Sequence, residues 1–304
     1  MKLVTYRHEI AGEARLGVMA DGMVVDVELL GDVMGEGLPA TMLDLIDMGP
    51  DALAAISRGL EATDGARPAG LAVPQENVRL LAPIPRPRKN VFGIGLNYTE
   101  HVAESARSLD TSAELPQQPI IFSKPPTAVI GQGEPIRHNA AITRQLDWEV
   151  ELAVIIGRRA TRIDKADAMN HVFGYTIVND VSARDNRRAG QWIFSKGQDS
   201  YCPMGPAIVT ADEITDPHDL DLWLTKNGEE KQRSNTKFML FRIPDLIADL
   251  SSGMTLEPGD IIATGTPAGV GAGRDPQEWM WPGDVIECGV EGIGTLRNPV
   301  IKVD

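Results

Sequence analysis

Cysteine is nearly absent: Cys202 and Cys288 are the only two in 304 residues. Two thiols so far apart make neither a disulfide framework nor a zinc pattern, and they fit a reducing cytoplasm. Positive charge is also scarce, with 29 lysines and arginines against 43 acidic residues and a net charge of −14. A nucleic-acid partner would need a basic face, and an anionic membrane surface would need a polybasic segment. Neither is expected. No apolar run approaches a membrane span. The opening MKLVTYRHEI alternates like a strand and lacks the apolar core of a signal peptide. A cytoplasmic location is the expectation. Low-complexity tracts and solenoid-length repeats are missing too.

What remains is an ordinary globular composition, 42% hydrophobic and 24% charged. The first 82 residues read as a small α/β unit. Short strands at residues 3–6, 15–19 and 23–26 are separated by Gly/Asp turns. One helix follows over 41–60, where Leu43, Ile46, Leu53 and Ile56 recur at helical spacing. In Leu81-Ala-Pro83-Ile-Pro85-Arg-Pro87-Arg-Lys89, alternating prolines can join neither a helix nor a central strand. This connector divides the chain into 1–82 and 83–304. Beyond it, short strands are expected at 150–156, 174–178, 207–210, 220–226, 260–264 and 284–288. Pro-Gly turns launch the last two. Helical pieces are expected at 99–108, 165–169 and 244–250. The spacing is not an alternating β-α series, so a doubly wound sheet is excluded and a β-rich α+β fold is expected.

The strongest local signal is Leu146-Asp-Trp-Glu149-Val-Glu151-Leu-Ala-Val-Ile-Ile-Gly157. Strand alternation puts Glu149 and Glu151 on one face. Two solvated glutamates on an edge strand would give the same pattern, but the apolar run that follows suits a strand buried on both faces. Buried together, two carboxylates need a cation or a shared proton. A third carboxylate, Asp180, ends the apolar strand Gly174-Tyr-Thr-Ile-Val-Asn-Asp180, where a side chain can face a cleft. Three oxygen ligands without a Cys or His cluster select a hard cation, Mg²⁺ or Mn²⁺ rather than Zn²⁺.

In Asn97-Tyr-Thr-Glu100-His101-Val-Ala-Glu104, Asn97 and Glu100 have the spacing of a helix cap and its return partner. His101 and Glu104 then share a helical face. A carboxylate beside an imidazole suits a general base, although a surface helix with an incidental ion pair fits this spacing better when it stands alone. The polar, unpatterned stretch from Arg107 to Gln118 reads as a loop that orders on substrate binding. Arg184 can meet a substrate carboxylate or pair with Asp180 or Asp185. Backbone donors at Gly265 and Thr266 can hold a carboxylate, but the loop lacks the Gly-Lys-Ser/Thr ending of a phosphate-binding loop. His8, His138, His171 and His218 have no partner pattern and read as structural.

From Val91 to the C-terminus the chain resembles the fumarylacetoacetate hydrolase superfamily. The markers, in family order, are Gly95-Leu-Asn-Tyr-Thr-Glu-His101-Val-Ala-Glu104, Phe122-Ser-Lys-Pro125 and Asp147-Trp-Glu149-Val-Glu151. They continue with Gly174-Tyr-Thr-Ile-Val-Asn-Asp180-Val-Ser-Ala-Arg-Asp185, Lys196 with Asp199, and Gly265-Thr-Pro-Ala-Gly-Val270. The likeness leans to the acylpyruvase and 2-hydroxyhepta-2,4-diene-1,7-dioate isomerase branch. It implies a mixed β-sandwich roll within a homodimer and one Mg²⁺ or Mn²⁺ per subunit on Glu149, Glu151 and Asp180. A short helix would close over the metal with His101 and Glu104 as the catalytic pair, and Lys196 would be the active-site lysine. Where some members carry an additional Asp ligand, this chain has Asn97, which is left without a role.

The expected reaction is hydrolysis of a carbon–carbon bond in a 2,4-dioxo acid, giving pyruvate or a related 2-oxo acid plus a carboxylic acid. This belongs to aromatic or sugar-acid catabolism. The metal and Lys196 would stabilise the departing enolate. Oxaloacetate-type decarboxylation, and isomerisation or hydration of a 2-oxo-dienoate, use the same site. A non-catalytic binder of oxo acids is the reading from another class.

Overall fold

The computed structural model describes residues 1–8, 12–64, 67–108, 114–188 and 190–303. The N-terminal part comprises β1 (Lys2–Arg7), β2 (Arg15–Ala20), β3 (Met23–Asp26), α1 (Val27–Met34), α2 (Met42–Met48), α3 (Pro50–Thr63), β4 (Ala72–Pro74) and β5 (Arg79–Leu80). After the irregular connector come β6 (Val91–Gly95), α4 (Thr99–Ser108), β7 (Ile120–Lys124), β8 (Val129–Ile130), β9 (Ile136–Asn139), β10 (Leu146–Asp147) and β11 (Val150–Ile156). Next are β12 (Val172–Asn179), β13 (Ser182–Ala183), α5 (Ile193–Lys196), β14 (Cys202–Thr210), β15 (Asp221–Lys226) and β16 (Glu229–Asn235). The chain ends with α6 (Ile243–Gly253), β17 (Ile261–Ala263), β18 (Val285–Val290) and β19 (Gly294–Val303).

One large mixed sheet runs β4-β3-β2-β1-β14-β12-β11-β17-β6-β7, with β5 on β1 and β8 on β14. A smaller sheet runs β16-β15-β18-β19-β9. Strand β11 lies mid-sheet between β12 and β17, which is why its sequence is apolar on both faces. Val150, Leu152, Val154 and Ile156 pack with Leu222, Leu224, Ile286 and Leu296 of the smaller sheet, closing a β-sandwich. Ala153 and Ile155 face the other way, onto a second core that includes Leu30, Leu45 and Ile56 of α1–α3. This is the β-rich α+β architecture that the strand pattern predicts.

Local departures have local causes. The single helix expected over 41–60 is two helices. Thr41 caps α2, Gly49 at φ 73° leaves the helical path, and Pro50 starts α3 at the position where its missing N–H costs nothing. Helix α1 was not expected. Its cap is Asp26, whose side chain accepts from the Leu29 N–H while also receiving Arg15 and the Tyr6 hydroxyl. The helical piece expected at 165–169 is a 3-10 turn over Ala168–His171. Both cysteines are buried and free. Among the described residues no helix is long and apolar enough to cross a membrane.

Candidate metal centre and the residues around it

Pairing of β11 with β12 places Val150 opposite Asn179, and the Asp180 N–H donates to the Glu149 carbonyl at 2.8 Å. The register therefore brings Asp180 from the exit of β12 against Glu149 and Glu151. Carboxylate oxygens of the three lie within 4.8 Å of one another, and all three side chains are buried.

Three cations enclose this charge unevenly. Lys196 Nζ, from α5, donates to Glu149 Oε2 at 2.8 Å and also to Asp180 Oδ2. Lys124, fully buried at the end of β7, donates to Asp180 Oδ1 and to the Val181 carbonyl. Arg184 reaches Glu149 Oε1 and donates to Asp147 Oδ2 at 2.8 Å. Glu151 has no cation within ion-pair distance among the described residues, and its hydrogen bond is from the Gly265 N–H at 2.9 Å. The acidities follow this asymmetry. Burial opposes ionisation of Glu149, but Lys196, Arg184 and His101 outweigh it and hold the carboxyl below its ordinary value. Burial pushes Glu151 well above its ordinary value, and the charges of Asp180 and Glu149 push it the same way. Burial also raises the Tyr98 hydroxyl, with Glu151 adding to it, and that hydroxyl has no hydrogen-bond partner.

A buried anion without a cation, two further carboxylates within reach and an orphaned hydroxyl nearby are the chemistry of a hard divalent ion with oxygen ligands and water. The residues fit Mg²⁺ or Mn²⁺ on Glu149, Glu151 and Asp180.

Helix α4 covers this cluster. His101 and Glu104 are buried on one face of it, with His101 Nδ1 and Glu104 Oε2 3.1 Å apart. An ionised Glu104 can only accept from Nδ1, and in a neutral ring that tautomer leaves Nε2 as the acceptor. Ser105 Oγ lies 3.5 Å from Nε2, and Glu104 Oε1 accepts from the Gly269 N–H at 2.9 Å. His101, Glu149, Arg184, Arg187, Trp192 and Lys196 line one narrow cavity of about 30 Å³. That is room for a few waters at most, so a substrate requires its walls to move.

The family model for the C-terminal region of fumarylacetoacetate hydrolases matches residues 90–301. The chain belongs to this family. It is 47% identical over 224 residues to oxaloacetate tautomerase YisK of Bacillus subtilis, covering 73% of each chain. It is 37% identical to the mitochondrial oxaloacetate tautomerase fahd2 of Xenopus laevis, covering 99% of this chain and 90% of that one. Among solved structures, a fumarylacetoacetate hydrolase from Exiguobacterium antarcticum superposes over the full length of both chains with TM-score 0.81 and 37% identity. Maleylpyruvate hydrolase from Sphingobium sp. SYK-6, in complex with manganese(II) and pyruvate, does so with TM-score 0.78 and 30% identity.

Within this family fold, the residues singled out from sequence separate into two groups. Glu149, Glu151, Asp180, Lys196, Arg184, His101 and Glu104 converge on one cluster, and Thr266 joins the cavity wall. Gly265 plays another part. Its N–H, at φ 105° and with Asn97 too close for any side chain, is directed to Glu151 of the chain itself rather than to a substrate carboxylate. Arg184 pairs with Asp147 and Glu149, not with Asp180 or Asp185. Asp185 is structural, accepting from Thr143 and the Arg144 N–H. Asn97 does not cap α4; its carboxamide bridges Phe241 and Thr264. The expected closing loop from Arg107 to Gln118 includes residues 109–113, which lie outside the described residues.

Sequence reading missed Lys124, Asp147 and Arg187 as functional. Lys124 and Asp147 stand inside the quoted motifs, but their partners come from distant strands. Replacing Lys124 with methionine (Lys124→Met) leaves Asp180 without its most deeply buried partner. The cost expected for a broken buried ion pair is about 3–5 kcal/mol. Chemical denaturation of metal-stripped protein measures it, and an unchanged midpoint would mean the pair is not needed for the fold.

Proposed function

We propose that the chain interconverts the enol and keto forms of oxaloacetate or a closely related 2-oxo dicarboxylate. The observation that carries this reading is an unpartnered guanidinium facing the same cavity as the base. Arg187 is half-buried, its Cζ lies 5.0 Å from the centroid of Trp192, and it has no ion pair among the described residues. Burial and the neighbouring Arg184 lower its basicity, the reverse of what a carboxylate partner would do. A substrate carrying a second carboxylate would supply that partner. The two oxaloacetate tautomerase relatives support the same substrate class.

Tautomerisation needs one proton moved and no bond to carbon cut. Glu149, Glu151 and Asp180 would hold a divalent ion, which when bound would supply Lewis-acid polarisation of the 2-oxo group. His101 Nε2, its ring set by Glu104, removes a proton from C3 of the keto form. The C–H electron pair becomes the C2–C3 double bond, and the 2-oxo oxygen receives the same proton back from the protonated His101 ring, which ends the step neutral. The Lys196 ammonium stabilises the negative charge that develops on that oxygen. The reverse sequence regenerates the keto acid, and nothing is oxidised or reduced.

Hydrolysis of an acylpyruvate remains the second reading, favoured by the same His–Glu pair, which can equally deprotonate water, and by the likeness to maleylpyruvate hydrolase. One experiment separates them. Metal-loaded protein is mixed with the enol form of oxaloacetate and, in parallel, with an acylpyruvate; the ultraviolet absorbance of the enol is followed while products of both are read by NMR. Faster equilibration with no pyruvate supports the tautomerase. Pyruvate from oxaloacetate would make it a decarboxylase, and pyruvate plus an acid from an acylpyruvate would make it a hydrolase.

Arg187→Met is expected to raise KM for oxaloacetate about 10–100-fold, the equivalent of losing one charge-assisted hydrogen-bonded pair. Exchange of the C3 protons of 2-oxobutanoate, which has no second carboxylate, is expected to be unchanged. Equal losses on both substrates would remove Arg187 from substrate recognition.

A further inference from the structure

The segment Gly269–Gly273 binds two buried carboxylates by its main chain, one on each side of the active site. Toward the metal ligands, the N–H groups of Gly271 and Ala272 donate to Asp147 at 2.6 and 3.1 Å, and Asp147 holds Arg184 against Glu149. Toward α4, the Gly269 N–H donates to Glu104 Oε1 at 2.9 Å. Gly273 completes this second contact without a hydrogen bond. A Cβ on it would stand 2.2 Å from the Glu104 carboxylate carbon and from Oε1. Gly273 is not in the left-handed region, so its backbone conformation admits any residue. A side chain there would occupy the space of the Glu104 carboxylate and displace it.

We propose that Gly273, together with the Gly269 N–H, is the seat that positions Glu104. Docking α4 and orienting the His101 ring are then a single event. Glu104 is the catch: it reaches Nδ1 of His101 only while its other oxygen rests on this turn. Because the turn also holds Asp147, the seat is built into the support of the metal ligands and is ready whenever they are assembled. Gly273 is a positioning residue, acting on the substrate only through Glu104 and His101. The inference rests on the reading of His101 as the base.

The test compares full-length, metal-loaded Gly273→Ala, Glu104→Gln and the double variant. Gly273→Ala is expected to lower kcat about 100-fold, to the level of Glu104→Gln. KM and metal affinity should stay within threefold of wild type. The double variant is expected to be no worse than either single one. Ring ¹⁵N spectra of His101 should show the Nδ1–H tautomer of the wild type replaced by a mixture in both single variants. Should Gly273→Ala fold poorly, Glu104→Asp alone tests the seat, because a shortened side chain cannot span turn and imidazole together and must lose kcat. Normal kcat in Gly273→Ala, or additive losses in the double variant, would overturn the proposal. Normal kcat in Glu104→Gln would instead overturn the base assignment on which it depends.

Discussion

Glu151→Gln is expected to lose metal-dependent turnover by about a thousandfold or more, yet to melt no lower than wild type once both are stripped of metal. The first half follows from removing one of three ligands to an ion that contributes several kcal/mol of charge stabilisation. The second half follows from the uneven charge around the site. Asp180 and Glu149 are matched by Lys124, Lys196 and Arg184, whereas Glu151 has no such cation. Ionising it in the stripped protein adds an uncompensated buried charge. Glutamine keeps the shape and can still accept from the Gly265 N–H. The pH dependence has a definite sign. Because burial displaces the folded-state pKa of Glu151 upward, its contribution to stability is fully present below the ordinary carboxyl value. That contribution is lost as pH rises through the displaced one. The increment in Tm on adding Mg²⁺ or Mn²⁺ should therefore grow with pH across that window in wild type and stay flat in Glu151→Gln. Thermal melts at several pH values, with and without metal, measure both. A stripped variant that unfolds earlier than stripped wild type would show that Glu151 is a structural anion.

His101→Gln should reduce the rate of enol–keto conversion by roughly 10²–10⁴, the usual contribution of a positioned general base. Metal affinity should change little, because the hydrogen bonds of the ring go to Glu104 and Ser105 and not to the three carboxylates. The loss should appear in kcat. In the proposed reaction the dyad would only move a proton, while binding would be left to the metal and Arg187. Stopped-flow decay of the enol, with isothermal titration of the metal in parallel, separates the two quantities. A variant that kept its rate would transfer the base role to another group in the cavity, with Lys196 the first to examine.

The carboxylate cluster was legible because it is written in short-range patterns. Strand alternation puts Glu149 and Glu151 together, and a polar exit from an apolar strand marks Asp180. The helical spacing of His101 and Glu104 was legible for the same reason. Lys124 was not, since its partner is 56 positions away and β7 and β12 are not neighbours in the sheet, so only the tertiary fold brings them together. Arg187 escaped for a different reason: what distinguishes it from Arg184, three residues earlier, is the lack of a carboxylate partner among the described residues, and pairing is a property of the folded state. Gly49-Pro50 did carry a stop-and-start signal, but Leu53 and Ile56 kept the apolar period running across the break.

The junction of β1 with β14 bears on how the protein can be dissected. Lys2 and Leu3 pair with Val209 and Ile208, and Leu3, Leu30 and Ile56 share a core with Ala153, Ile155 and Ile208. Cutting at the proline-rich connector would uncover that apolar face and leave part of β14 with bare N–H and C=O groups. Such an open edge recruits strands from other molecules. A fragment beginning at residue 83 would thus retain every residue of the metal centre and self-associate before it could use them.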